Sequence, residues 1–350
     1  MESIVIDGRK IGPNEPPYIV AEVSANHNGS LDRALNTIRA ARQHGASAVK
    51  LQSYTADTMT IPSTRPEFRI IGGPWDGYTL YDLYKTAETP FEWHARLFQY
   101  AREIGITVFS TPFDESAVEL LQSLDAPAYK IASFELTDLP LIDCVASTRK
   151  PLIISSGMAS FGEIGDAIET AKMAGCSDII LLHCISSYPA PLEQANIKQV
   201  QNLAKEFEVM TGLSDHTLGT TAATVGVSLG AVFIEKHFIL NRDDGGPDSS
   251  FSIEPAELEA LCENARDAWR AVGKYMDTRA DVEQASLQFR RSIYFVRDML
   301  PGQIITKDDI RRIRPSNGLE PKFFSSLIGQ VVTQKILAGT PTSWDLISHD

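Results

Sequence analysis

Apolar residues along this chain gather into short runs that each carry a polar or ionisable side chain at or near the end. Eight such runs occupy 18–24, 48–54, 107–113, 128–133, 152–157, 179–186, 208–215 and 232–238. All are too short for helices, and most are rich in Val and Ile and apolar almost throughout, so they read as strands buried on both faces, as a parallel sheet requires. The stretches between them carry apolar residues at helical spacing. The clearest puts Leu31, Ala34, Leu35, Ile38 and Ala41 on one face behind Ser30, a good N-cap residue. Four of these stretches end in glycine, at Gly45, Gly105, Gly175 and Gly230, where a helix can close in the left-handed conformation before the next strand.

Strand and helix alternating eight times over roughly 250 residues predict an α/β fold, a (β/α)8 TIM barrel spanning 1–272, with its active site at the C-terminal ends of the strands. A doubly wound open sheet is the competing arrangement. It calls for a glycine-rich phosphate turn after the first strand, and residues 21–29 do not make one. The polar, charged stretch 273–291 reads as a linker, and 292–350 as a small second domain with β-like pieces at 293–296 and 331–336. A tail of that size has a marginal core and is expected to dock on a barrel or a partner chain. Between 55 and 90 the chain carries Gly72, Gly73, Trp75 and Gly77 and then Tyr78, Tyr81 and Tyr84. So long a connection on the active-site face reads as a substrate-covering element, with a surface insertion as the alternative.

The formal net charge of −13 weighs against nucleic acid and anionic membranes as partners, since both select basic surfaces. It leaves room for a small anion in a local basic pocket. No apolar h-region opens the chain, and no apolar stretch approaches the ~20 residues that span a bilayer, so a cytoplasmic location is expected. Cys144, Cys176, Cys184 and Cys262 lack paired metal-ligand spacing and read as reduced thiols.

The ends of the runs carry the chemistry. His216 and His237 close the last two, which are adjacent in a barrel, so their rings can converge. Two imidazoles with water and substrate oxygens make an open site for a divalent cation such as manganese, zinc or cobalt; hydrogen-bonded core histidines are the other reading. Asp215 and Lys236 should face the opposite way by strand alternation. Lys50 and Lys130 lie inside apolar runs, where a charge must be matched by an anion or a carboxylate, Glu22 and Glu135 being at hand. With Thr111, Ser155, Ser186 and Ser214 as neutral donors, the set suits a phosphate and a carboxylate. Schiff-base chemistry at one lysine is the rival. Glu22 ends the first run and is placed to act as general acid or base, with Asn26 and Asn28 as loop braces.

The motifs Ala-Glu22-Val-Ser-Ala-Asn-His-Asn-Gly, Val-Lys50-Leu-Gln52, Phe-Ser-Thr111-Pro-Phe, Tyr-Lys130-Ile-Ala-Ser133, Ser155-Ser-Gly-Met, Leu-His-Cys-Ile-Ser186-Ser-Tyr188-Pro, Gly-Leu-Ser214-Asp-His216-Thr, Glu-Lys-His237-Phe and Gly-Pro-Asp248, in that order, resemble the sialic acid synthase family over residues 3–349. The tail resembles that family's antifreeze-like (SAF) domain. The resemblance implies condensation of phosphoenolpyruvate with an N-acylated aldose to a nine-carbon 2-keto acid and phosphate. It implies catalytic roles for Glu22, Lys50 and Lys130, and phosphoenolpyruvate binding by Lys50, Thr111, Lys130, Ser133, Ser155, Ser186 and Ser214. It further implies a divalent metal on His216 and His237, Mn2+ foremost, with Mg2+, Co2+ or Zn2+ as others. Sugar contacts fall to Gln52, Glu135, Tyr188 and Asp248, and to Arg314, supplied in trans by a homodimer whose C-terminal domain covers the other protomer's barrel.

Ala132-Ser-Phe134-Glu135, the loop 75–84 and Pro90-Phe-Glu-Trp93-His look like the family's pseudaminic acid synthase branch, which implies 2,4-diacetamido-2,4,6-trideoxy-L-altrose as the sugar. Phe134 and an aromatic loop suit a terminal methyl and a second acetamido group. An N-acetylneuraminate or legionaminate synthase and a spore-coat polysaccharide relative are the neighbouring expectations. A noncatalytic carbohydrate-binding protein on the same fold is the reading of another class.

Overall fold

Asp7 and Gly8, with φ of 49° and 76°, turn the chain between β1 (Ile4–Ile6) and β2 (Arg9–Ile11), an antiparallel hairpin. Two successive positive φ values are what a tight hairpin turn demands. This hairpin is not among the elements the apolar runs predict. The computed structural model describes residues 3–273 and 278–348, in two compact units that divide after Gly273. Residues 1, 2, 274–277, 349 and 350, which the boundaries 1–272, 273–291 and 292–350 take in, lie outside the described residues.

In the first unit the eight runs become parallel strands: β3 (Tyr18–Glu22), β4 (Ala48–Ser53), β5 (Thr107–Pro112), β6 (Tyr129–Ile131), β7 (Leu152–Ser155), β8 (Ile179–Cys184), β9 (Met210–Ser214) and β10 (Phe233–His237). They follow one another in order and β10 pairs with β3, closing a (β/α)8 barrel. Outward side chains such as Val49, Leu51, Ile154 and Ile234 form one apolar cluster with Ile38 and Leu97 of the surrounding helices. Inward ones, among them Tyr18, Phe109 and Phe233, form a second cluster that takes in Ile4, Ile6 and Ile11, so the hairpin plugs the N-terminal end.

Local signals behave as read. Ser30 caps the helix Leu31–Gln43 by accepting from the Arg33 N–H, and Gly45, Gly105, Gly175 and Gly230 take φ of 91°, 72°, 96° and 99°. The 55–90 connection is folded, with helices Ala56–Met59 and Leu80–Ala87 and a 3-10 turn at Pro66–Phe68. No helix among the described residues is long and apolar enough to cross a membrane. The four cysteines are free thiols.

The second unit carries β11 (Ser292–Phe295) paired antiparallel with β12 (Ile310–Ile313), around a core that includes Ile293, Phe295, Leu327 and Val332. The β-like piece at 331–336 is not a strand: among the described residues it pairs through the isolated bridges Ile304–Val331, Val332–Ile347 and Met299–Ile336. In the stretch read as a linker, Asp281–Phe289 forms 3-10 turns.

Candidate active site

Period-two alternation carries the inward face of each strand from apolar residues at its start to chemistry at its end. Tyr18, Ala48, Phe109, Ile153 and Phe233 lie in the plugged interior. The same parity brings Glu22, Lys50, Thr111, Ser155, Glu235 and His237 to the mouth. Register places Glu22 beside Lys50 on one side and His237 on the other, and Glu235 beside Ser214. Asp215 and Lys236 face away as expected, ion-paired at 2.7 Å.

Four buried charges form the floor. Lys50 Nζ lies 2.6 Å from Glu22 Oε2 and 3.4 Å from Glu235 Oε1, and donates to Thr111 Oγ1 at 3.1 Å. Lys130 Nζ donates to the same Glu235 Oε1 at 3.2 Å, and Ser214 Oγ reaches it at 3.4 Å. Sequence reasoning missed Glu235. It took the Glu-Lys-His237 motif for its histidine, although a step of two back from His237 points to an inward carboxylate. It also offered Glu135 as a partner for a lysine, whereas Lys130 pairs with Glu235.

Burial pushes Glu22 up to about 7 against the pull of Lys50. Lys50 is itself raised, because Glu22 and Glu235 outweigh the burial that would lower it. Burial lowers Lys130. Lys50 is thus held as a cation by three partners, which suits anion binding and not nucleophilic attack.

A polar cradle adjoins the lysines. The Gly157 N–H donates to Ser133 Oγ at 3.1 Å. A Cβ at Gly157 would stand 2.2 Å from Ser186 Oγ and 2.7 Å from Ser133 Oγ, so the two hydroxyls converge on space that only glycine leaves open. Ser155 Oγ is buried with no hydrogen-bond partner among the described residues, an idle donor suited to an incoming oxyanion.

The two histidine rings stand 5.4 Å apart between centroids. His216 Nδ1 bonds to Ile185 O at 3.0 Å, so Nε2 is the ring nitrogen left to meet a ligand. His237 Nδ1 is buried without a hydrogen-bond partner among the described residues, 3.8 Å from Asp248 Oδ2. Burial, then His216 and Lys50, keep His237 well below its usual pKa, so it presents neutral lone pairs. This donor set fits a divalent cation. Among the described residues no group of three or more His, Cys, Asp or Glu side chains is disposed to hold one, so its other positions would go to water and substrate oxygens.

Above the floor lies a cavity of about 370 Å3 lined by Gln52, Glu135, Tyr188, His237 and Asp248 and by the 55–90 segment. Tyr188 packs 4.4 Å from His216 and 5.4 Å from Trp75, whose indole N–H donates to Pro247 O at 2.9 Å. Gln52 donates to Ser24 Oγ, and Asp248 accepts from the Ala25 N–H. Glu135 has an unpartnered buried oxygen, and burial pushes its carboxyl up to about 7. Asn26 and Asn28 are braces: Asn26 donates to Phe238 O and Ser252 Oγ, Asn28 to Gly245 O. Arg314 belongs to the second unit, one residue past β12, and is exposed. A larger cavity, about 610 Å3, opens at the opposite end of the barrel. Its charged groups are already engaged: Lys150 with Asp125, Asp7 with Thr107 and Arg102 with Leu124 O.

Comparison with known proteins gives a consistent picture. A model of the NeuB family matches residues 37–277, and one of the SAF domain matches 290–348. The chain is 42% identical over 339 residues to a pseudaminic acid synthase of Helicobacter pylori, covering 96% of this chain and 99% of that one. It is 41% identical over 325 residues to a pseudaminic acid synthase of Campylobacter jejuni, covering 92% and 94%. Among solved structures it is similar to an N-acetylneuraminic acid synthetase from Leptospira borgpetersenii, in complex with citrate, at 31% identity and a TM-score of 0.74, covering 83% and 96%.

Proposed function

We propose that this chain, which belongs to the NeuB family and is a transferase, a phosphoenolpyruvate-condensing synthase, takes 2,4-diacetamido-2,4,6-trideoxy-L-altrose as its sugar and forms pseudaminic acid and phosphate. What supports the reading is one juxtaposition: two buried lysines and a hydroxyl cradle lie at the base of a cavity whose mouth holds a pair of converging imidazoles.

Lys50, Thr111 and Lys130 bind the anionic end of phosphoenolpyruvate, while Ser133, Ser155, Ser186 and Ser214 donate to its remaining oxygens. Carbon 3 attacks the aldehyde carbon of the open-chain sugar, whose oxygen gains a proton. Water adds to the cationic carbon 2, and the bond from carbon 2 to the phosphate oxygen breaks, leaving a ketone and inorganic phosphate. Glu22, with its pKa near neutrality, takes a proton from that water or orients it. His216 and His237 would hold a divalent cation, Mn2+ foremost, which when bound would supply Lewis-acid polarisation of the aldehyde. Gln52, Glu135, Tyr188 and Asp248 position the sugar. A homodimer completes the site, its C-terminal domain reaching the other protomer's barrel with Arg314.

Phosphate release with manganese tests the proposal, comparing this sugar with N-acetylmannosamine and with EDTA controls. Metal-dependent release with the diacetamido sugar alone is expected. Release with N-acetylmannosamine alone would move the enzyme to the neuraminate branch.

A further inference from the structure

We propose that the 55–90 segment chooses the sugar, its aliphatic side chains Met59, Ile70, Leu80 and Leu83 selecting a C6 methyl over a C6 hydroxyl. The inference rests on the sugar reaction proposed above and adds which residues make the discrimination and by what contact.

The cavity is divided by origin. Its polar lining, including Gln52, Glu135 and Asp248, comes from the strand ends and the loops beside them, whereas the 55–90 segment contributes an almost wholly apolar wall. Of the segment's cavity-lining side chains, Met59, Ile70, Leu80, Leu83 and Ala87 are apolar, and the polar groups are the Trp75 indole and the Tyr84 hydroxyl. Trp75 donates to Pro247 O, Tyr81 to Asp57, and Thr79 to Asp82, while Glu88 accepts from the Ala56 N–H and from Lys85. A sugar hydroxyl pressed against Met59, Ile70, Leu80 or Leu83 gives up water and finds no partner in those side chains, whereas a methyl group loses nothing.

The wall is also held in place. Leu83 is buried and Tyr84 sets its edge against Tyr54, which in turn meets Phe113. Trp75 packs at a tilt against Tyr188, and Tyr188 touches the His216 ring. Aromatic contacts therefore tie the segment to the imidazoles at which the aldehyde reacts, so the wall meets the sugar at a fixed reach from its reacting carbon. Met59, Ile70 and Leu80 are only half-buried, leaving faces open to the cavity.

The test measures kcat/KM by phosphate release at saturating phosphoenolpyruvate for two sugars that differ only at C6: 2,4-diacetamido-2,4,6-trideoxy-L-altrose and its 6-hydroxy counterpart. Wild type should prefer the deoxy sugar by about 10- to 100-fold, the range one hydroxyl against an apolar pocket gives. Ile70→Thr and Leu80→Asn should each shrink that ratio by about threefold or more, with the KM for phosphoenolpyruvate unchanged, and Leu80→Met should keep the wild-type ratio. Equal use of both sugars by wild type, or polar variants that lose both activities in proportion, would overturn the wall while leaving the proposed reaction standing. Turnover of N-acetylmannosamine to the exclusion of both altroses would instead overturn the sugar reading, and the wall with it. Should either polar variant fail to fold, the other and the wild-type ratio decide.

Discussion

Lys130 and Glu235 meet across the barrel interior, Nζ to Oε1 at 3.2 Å, from β6 and β10, which are not neighbours in the sheet. The same oxygen serves Lys50 at 3.4 Å, so one carboxylate matches two buried cations while Glu22 shares the second. Removing it strands Lys130 and leaves Lys50 to Glu22 alone. Glu235→Leu should lower stability by about 3–5 kcal/mol, the usual cost of breaking a buried ion pair from one side, and Glu235→Leu combined with Lys130→Met should recover part of that loss without regaining phosphoenolpyruvate binding. Urea denaturation of the three proteins checks it; a Glu235→Leu single variant as stable as wild type would refute the account.

Gly157→Ala probes the cradle. Its methyl would intrude on the Ser133 and Ser186 hydroxyls, so the KM for phosphoenolpyruvate should rise by about tenfold or more, as for loss of a charge-assisted contact, while sugar KM stays near wild type. Steady-state kinetics in both substrates separates the two; an unchanged phosphoenolpyruvate KM would remove the cradle from the binding site.

His216→Ala and His237→Ala should each abolish stoichiometric uptake of manganese, measured by equilibrium dialysis and elemental analysis, and turnover with it. The two rings are the imidazoles that converge at the mouth, so neither can hold a cation alone with useful affinity. A metal-replete, active His237→Ala protein would sink the assignment.

The carboxyl of Glu135 gives stability a pH dependence. Burial raises it from 4.5 to about 7, so between those values the folded chain binds more protons than the unfolded one and stability falls as pH rises. Below the lower value the penalty is absent, and above the upper it is complete. Glu135→Gln should flatten that slope and raise the melting temperature at pH 8 relative to wild type, while leaving it unchanged at pH 4. Thermal scans across this window decide it, and an identical pH profile for the variant would count against a strained, buried carboxyl.

If Arg314 serves the other protomer, mixing Arg314→Ala chains with Lys130→Ala chains should restore one working site in each mixed dimer. Activity after verified subunit exchange is the readout. No recovery would place Arg314 in its own protomer's site or in none.

Much of this was legible before folding. Each barrel strand falls within two or three residues of its apolar run, because a strand buried on both faces has no polar interruptions to blur its ends, and the closing glycines mark where the intervening helices stop. The hairpin at residues 4–11 escaped because three-residue strands are too short for a period to emerge, although Asp7-Gly8 between Ile6 and Ile11 was the available sign. The residues at 331–336 misled for the opposite reason. Val332 and Ile336 are apolar because they fill the core of the second unit, not because they pair along a strand. Glu235 was hidden by its neighbour, since a histidine attracts attention and a buried carboxylate is evident only once alternation is followed inward. The helices at 56–59 and 80–87 were unread because their apolar faces turn toward a cavity as much as toward the core.

The hairpin stopper gives the barrel a blind end. With Ile4, Ile6 and Ile11 packed against Tyr18, Phe109 and Phe233, the described residues leave the C-terminal mouth as the way in, and the lysines lie deeper behind it than the sugar cavity. In the proposed reaction, phosphoenolpyruvate must therefore arrive before the sugar that would block its way. By the same reasoning inorganic phosphate, formed at the bottom in that reaction, would leave behind the larger product above it.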